Sequence, residues 1–227
     1  MFEKIVQSAS QRYRRGGLTA WQFARGKLCR DPVYRAVLEG PWLSRGGTVL
    51  DVGCGQGLML AVIAEQQRAM RNPAAEPMPA RLIGIETRPR VAALAAQALA
   101  GQAEIISADA RREPLPTART VLVFDVLHMM SLADQEALLG GVVAALEPGG
   151  VLLMRDVDAG AGWRFQAVRV ANRFKAFAFG YSSRDFSFRT AAEWRKCLES
   201  LTLAVEVVPM GQGTPFGNVL FVATKAN

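Results

Sequence analysis

Beyond Gly46-Gly47 the chain alternates short apolar runs with longer stretches of helical periodicity. Thr48-Val49-Leu50-Asp51 reads as a buried strand and Leu58 to Met70 as the helix that follows it. Arg81–Glu86 is a second strand, Pro89–Ala100 an Ala-rich helix and Ala103–Ser107 a third strand. Thr120–Phe124 is a fourth, Ala133–Leu146 a helix stopped by Pro148-Gly149-Gly150, and Val151–Met154 a fifth strand. Short apolar strands separated by helices predict parallel βαβ units buried on both faces. The predicted class is therefore α/β, a doubly wound, Rossmann-like sheet.

The tail changes character. Thr190-Ala191-Ala192-Glu193 has the form of a capping box, with Thr190 as N-cap and Glu193 at N3, opening a helix to about Leu201. Leu203–Val208 and Asn218–Ala223 read as two strands with no helix between them. The loop from Pro209 to Gly217 is too short for a crossover, so these two strands should be antiparallel. Arg71–Ala80, with three prolines and no periodicity, reads as a surface loop.

A chain of 227 residues suits one full-sized domain with room for a helical extension. We divide it into a basic helical extension or lid at 1–47 and a sheet domain at 48–227, with an insert at about 158–190. The net charge of +7 is unevenly placed. Residues 1–47 carry nine Lys/Arg against three acids, 48–150 eight against eleven, and 151–190 seven against three. Basic segments thus flank a mildly acidic middle. Such a surface attracts anionic ligands, acidic proteins, RNA or anionic lipid, or is simply solvated. No stretch reaches the roughly 18 apolar residues of a membrane span, and the start shows no secretory pattern. Cys29, Cys54 and Cys197 form no metal-type pair and fit a reducing cytoplasm.

Val49-Leu50-Asp51-Val52-Gly53-Cys54-Gly55-Gln56-Gly57 closes the first strand and opens the first helix. Glycines there let the chain turn tightly and let a ligand lie against bare backbone, while the helix N-terminus supplies free N–H groups. Two carboxylates accompany the loop. Glu86 ends the second strand, where it can accept both hydroxyls of a ribose, and Asp109 follows the third, where it can accept from an adenine amino group. Cys54 reads as a small loop filler with no redox role.

On these residues the chain resembles the class I S-adenosylmethionine-dependent methyltransferases. The family's first motif, an acid followed by glycines two, four and six places on, is matched by Asp51, Gly53, Gly55 and Gly57. Its ribose acid corresponds to Glu86, beside Thr87, and its adenine-edge acid to Asp109, beside Ala110; Phe124-Asp125-Val126-Leu127-His128 stands at the motif after strand four. The resemblance implies seven strands in the order 3-2-1-4-5-7-6 with the last antiparallel, S-adenosylmethionine as cofactor and S-adenosylhomocysteine as product. It implies a cofactor site of Asp51, Gly53, Cys54, Gly55, Gly57, Glu86, Thr87, Asp109, Ala110 and Asp125. A dinucleotide loop would place its third glycine where Leu58 stands.

Methyl transfer from a sulfonium needs alignment of the nucleophile and, for an O–H or N–H acceptor, removal of a proton. Asp125 and His128 leave the fourth strand at the face where such sites lie. His128, the only histidine, is either that base or a wall residue bonded to its loop; Asp125 either orients the acceptor or methionine end or simply ends the strand. The run after strand four is not the Asn/Asp-Pro-Pro-aromatic run of enzymes acting on planar amino groups, so nucleic acid loses ground to a small molecule.

Two segments should cover the acceptor. The first contains Tyr13, Arg14, Arg15, Trp21, Phe23, Arg25 and Lys27. The second contains Trp163, Arg164, Phe165, Arg169, Arg173, Phe174, Phe177, Phe179, Tyr181 and Phe186. They are either amphipathic helices with aromatics inward or an apolar pocket rimmed by Arg for an aromatic or acyl acid, free or on an acyl carrier protein. Arg12 to Gly17, Phe23 to Leu28 and Gly213 to Val219 also resemble the methyltransferases of bacterial aryl-polyene, xanthomonadin-type pigment pathways. Three rivals stay open: an RNA methyltransferase using the basic arms, a nicotinamide-dependent reductase, and a silent scaffold presenting its basic face to a carrier.

Overall fold

The computed structural model describes residues 1–43, 46–70, 81–166 and 186–227. The expected loop at 71–80 and the insert residues Arg169, Arg173, Phe174, Phe177, Phe179 and Tyr181 lie outside them. Three helices come first: α1 (Phe2–Gln11), α2 (Leu18–Arg30) and α3 (Pro32–Glu39). Then follow β1 (Thr48–Val52), α4 (Leu58–Ala69), β2 (Arg81–Glu86), α5 (Pro89–Ala98), β3 (Glu104–Ser107) and β4 (Ala118–Phe124). The chain continues through α6 (Leu132–Ala145), β5 (Leu146–Val157), α7 (Ala191–Ser200), β6 (Leu203–Pro209) and β7 (Asn218–Lys225).

The strands form a seven-stranded sheet ordered β3-β2-β1-β4-β5-β7-β6. β1 pairs in parallel with both β2 and β4, while β7 runs antiparallel between β5 and β6. The short apolar runs have become strands covered on both faces. Val49 of β1 joins the core beneath α4, and its neighbours Leu50 and Val52 join the core beneath α6 and α7. β1 and β4 are consecutive in the sheet but not in the chain, so the connections leaving them depart to opposite faces. The carboxyl ends of these strands are where such folds leave a crevice.

α4 explains the N-terminal helices. Residues 58–66 are all buried, because the sheet covers one flank and α1 and α3 the other. A helix apolar all round must be covered all round. α1 supplies Ile5, Val6 and Ala9 to that layer, and its polar edge ties to α4 where Ser8 Oγ and Arg12 Nε donate to Glu65 at 2.7 and 2.8 Å. The first 39 residues are therefore a third helical layer, not a loose arm.

Two boundaries differ from the periodicity reading. Thr190 and Glu193 do form the capping box that opens α7. The helix expected over Ala133–Leu146 starts and stops one residue earlier, and Pro148-Gly149-Gly150 falls inside β5 rather than ahead of it. Leu146 already pairs with Ala118, and a register shift before Thr120 absorbs the irregular turn. Among the described residues no helix is long and apolar enough to cross a membrane.

Candidate functional site

The loop leaving β1 is built by glycine. Gly53 and Cys54 donate their N–H groups to Ile85 O at 2.8 and 3.0 Å, which folds the loop back over β2. Gly53, Gly55 and Gly57 all have positive φ, at 74, 57 and 74°. A Cβ on Gly53 would lie 2.4 Å from Val126, so that glycine is needed for packing; one on Gly55 would meet nothing within 4 Å, because it faces open space. Tyr13 braces the loop from below, donating its hydroxyl to Gln56 O at 2.8 Å while fully buried. The cysteine packs as a filler: Gly84 leaves just enough room for the Cys54 thiol, whose pKa burial pushes well up.

This loop forms one wall of a cleft of about 500 Å³. Of the expected site residues, Asp51, Gly53, Cys54, Gly55, Glu86, Thr87, Asp109, Ala110 and Asp125 line it. These residues, from four separated segments, meet there because each ends or follows a strand at the same edge of the sheet. Gly57 sits behind the loop, where a Cβ would strike Leu99 at 2.6 Å.

The four carboxylates are held differently. Asp51 is buried, and no described residue hydrogen-bonds its side chain. Burial, then the neighbouring charge of Glu86, pushes its pKa up to about 7, against the pull of Lys27. Glu86 is also buried, which by itself would raise it, but Arg88 and the backbone N–H of Gly55 hold it below the usual range. Those donors lie at 2.9 Å (Arg88 Nε) and 3.0 Å (Gly55 N). Asp109, at the mouth, is gripped by Arg111 at 2.7 and 2.9 Å and lowered to about 2.

Asp125 takes the left-handed backbone conformation, φ 58°, uncommon for a residue other than glycine. Burial opposes its charge, but Arg155 and then Lys27 keep its pKa down. Arg155, only 2% exposed, forks onto both Asp125 oxygens and reaches Asp31, the N-cap of α3. The sequence reading missed this node. An arginine inside an apolar strand run was the available signal, and the Asp31-Pro32 helix start was the other.

His128 lies in the 3₁₀ turn Leu127–Met129 and is buried. Its Nδ1 is 2.7 Å from Asp156 Oδ1, and its backbone N–H donates to Asp156 Oδ2 at 3.1 Å. The ring stacks on Phe188 and Phe186 at 5.6 and 6.2 Å. The neighbours Met129 and Met130 reach the cleft lining, together with Phe23, Lys27, Tyr34 and Phe124. Of the expected covering residues, Phe23 and Lys27 meet the cleft; Trp21 lies instead beneath the guanidinium groups of Arg14 and Arg25.

A glycine loop after the first strand and a carboxylate at the end of each of the next two, all lining one cleft, define a class. Residues 20–206 match the family model for the methyltransferase domain, and the chain belongs to that family. Over 154 residues, 66% of the chain, it is 38% identical to the aclacinomycin 10-hydroxylase of Streptomyces purpurascens. Over 131 residues, 58% of the chain, it is 33% identical to the trans-aconitate 2-methyltransferase of an Azoarcus species. These stretches span only 39% and 45% of those two proteins. Among solved structures it is similar in fold to the O-methyltransferase of neocarzinostatin biosynthesis, in complex with S-adenosylmethionine and 2-hydroxy-5-methyl naphthoic acid. That likeness has a TM-score of 0.62 and 21% identity, covering 92% of this chain and 58% of the other.

Proposed function

We propose that the chain transfers a methyl group from S-adenosylmethionine to a small aromatic or acyl acid, releasing S-adenosylhomocysteine. The observation that carries the reading is the meeting of Asp51, Gly53–Gly55, Glu86 and Asp109 in one cleft. The residues fit the cofactor. Bare backbone at Gly55 faces open space that a side chain would fill, and buried Asp51, with no hydrogen-bond partner among described residues, suits a ligand bearing positive charge. Glu86 would take the ribose hydroxyls and Asp109, with Ala110, the adenine edge; Thr87 and Cys54 line the same wall. The bound cofactor supplies the methyl group and its leaving group. What remains for the chain is to orient the acceptor and exclude water.

Asp125, fixed by Arg155, orients what lies at the end of β4. His128 acts through the turn it anchors: Asp156 holds its ring and backbone together, which sets where Met129 and Met130 stand. His128→Gln checks this. A positioning role leaves the pH profile of kcat/KM unchanged in shape while KM for the acceptor rises; loss of an acidic limb would make His128 the proton acceptor instead.

Aryl acids of a bacterial pigment pathway of the aryl-polyene type, free or on an acyl carrier protein, are the finer acceptor class that the flanking segments support. The hydroxylase among the relatives favours a second outcome, hydroxylation of such a substrate by dioxygen with an external two-electron reductant, the other oxygen leaving as water. Calorimetry with S-adenosylhomocysteine against NADP and against RNA at low salt tests the cofactor; binding of NADP alone, or of RNA alone, would overturn the proposal. Metabolite comparison between cells with and without the protein should show a one-methylene mass difference. A one-oxygen difference would favour the second outcome.

A further inference from the structure

The cleft lining is of two kinds. Asp51, Glu86 and Asp109 line it with the glycine loop, and an anionic acceptor is repelled by them. Phe23 and Lys27, one turn apart on α2, line it with Tyr34 of α3 and Phe124 of β4, and the charge of Lys27 is felt at Asp51 as well. Both α2 side chains are open to solvent, Phe23 at 50% and Lys27 at 38% exposure.

Among the described residues the cations that line the cleft are Lys27, Arg88, Arg111 and Arg155. Arg88 is bonded to Glu86, Arg111 to Asp109, and Arg155 to Asp31 and Asp125. Lys27 differs. Its Nζ forms only a long ion pair, 4.0 Å from Asp125 Oδ2 and beyond hydrogen-bond reach, while Arg155 bonds both oxygens of that carboxylate. Among the described residues Lys27 donates no hydrogen bond. An ammonium on a flexible stem that makes no hydrogen bond among the described residues, beside aromatic side chains lining a cleft, has the chemistry to receive the carboxylate of an aromatic acid.

We infer that Lys27 binds the carboxylate of the methyl acceptor while Phe23 and Tyr34 pack on its ring, so that this chain selects anionic aryl acceptors over neutral phenols. The inference deepens the methyltransferase reading and rests on it. Its test uses the full chain saturated with S-adenosylhomocysteine, titrated with 1-hydroxy-2-naphthoic acid and, as the neutral match, 1-naphthol. The acid should bind about tenfold tighter than the phenol, as one charge-assisted contact allows. Lys27→Met should remove that preference, leave 1-naphthol and S-adenosylhomocysteine affinities within about twofold, and melt like the parent; Lys27→Arg should restore the preference. Equal binding of acid and phenol by the parent, equal loss of both in Lys27→Met, or no binding of the acid overturns the inference. So does a fall in S-adenosylhomocysteine affinity alone, which would assign Lys27 to the cofactor's own carboxylate. Absence of S-adenosylhomocysteine binding in the parent would instead strike the methyltransferase reading, and the acid titration repeated without it still decides Lys27.

Discussion

At Gly55 a single hydrogen in place of a side chain keeps the cleft open. Its φ of 57° already costs an L-residue about 1–2 kcal/mol, and a larger group would project into the space beside Glu86, whose carboxylate the Gly55 N–H bonds at 3.0 Å. Gly55→Val should therefore abolish measurable binding of S-adenosylhomocysteine while lowering stability by only about 1–2 kcal/mol; near-normal affinity by calorimetry would contradict the site. This glycine, and Asp51, Glu86 and Asp109, were legible in the sequence because a strand end at the edge of a parallel sheet fixes where the next few residues go. His128 was legible only as a residue. Its partner Asp156 is 28 positions away and its stacking partner Phe188 lies in the tail, so no local pattern announces the burial of its ring.

Between elements, the most consequential contact joins residues 124 apart, Arg155 in β5 and Asp31 at the start of α3. Asp31 caps α3 by accepting from Val33 N at 3.2 Å and also serves a guanidinium that is almost wholly buried. Asp31→Ala removes a cap, worth about 1 kcal/mol, and leaves a buried cation half-paired, for which breaking one partner costs about 3–5 kcal/mol. Asp125 keeps its own grip on Arg155, so the expected loss in urea unfolding is toward the lower figure, and Asp31→Asn should recover the cap. A loss below about 0.5 kcal/mol would mean the node is not a joint between the helical layer and the sheet. Periodicity made the elements themselves plain, and the capping box marked α7 before the fold was known. It erred at Pro148-Gly149-Gly150, a stop signal by composition, because sheet pairing on both sides of a bulge overrides a local turn preference. The aromatic and cationic N-terminal segment could not be divided by pattern between covering α4 and facing the cleft; the fold does both, with Tyr13 and Phe23 on opposite duties.

Across the whole molecule, a chain with a net charge of +7 folds so that four carboxylates converge in one cleft. Three of them, Glu86, Asp109 and Asp125, have ion-pair partners and ionise more readily than usual, so they add stability above the unfolded carboxylate range that is lost as pH falls below it through their folded values. Asp51 runs the other way. Its folded value of about 7 lies above the ordinary 3.8, so its protonated form is favoured by folding. That contribution is fully present below about pH 4 and disappears as pH rises through about 7. The empty protein should then lose stability between pH 5 and pH 8, by no more than about 3 kcal/mol, with the chain otherwise far from its acid limit. Asp51→Asn should flatten that slope and be the more stable protein at pH 8, as read from urea midpoints at the two pH values. S-adenosylmethionine, positive at its sulfur, should narrow the gap at pH 8 in the parent and not in Asp51→Asn. A parent whose midpoint is the same at both pH values would mean that Asp51 finds a compensating charge in solution, and the case for a site shaped around a cation would lose its electrostatic support.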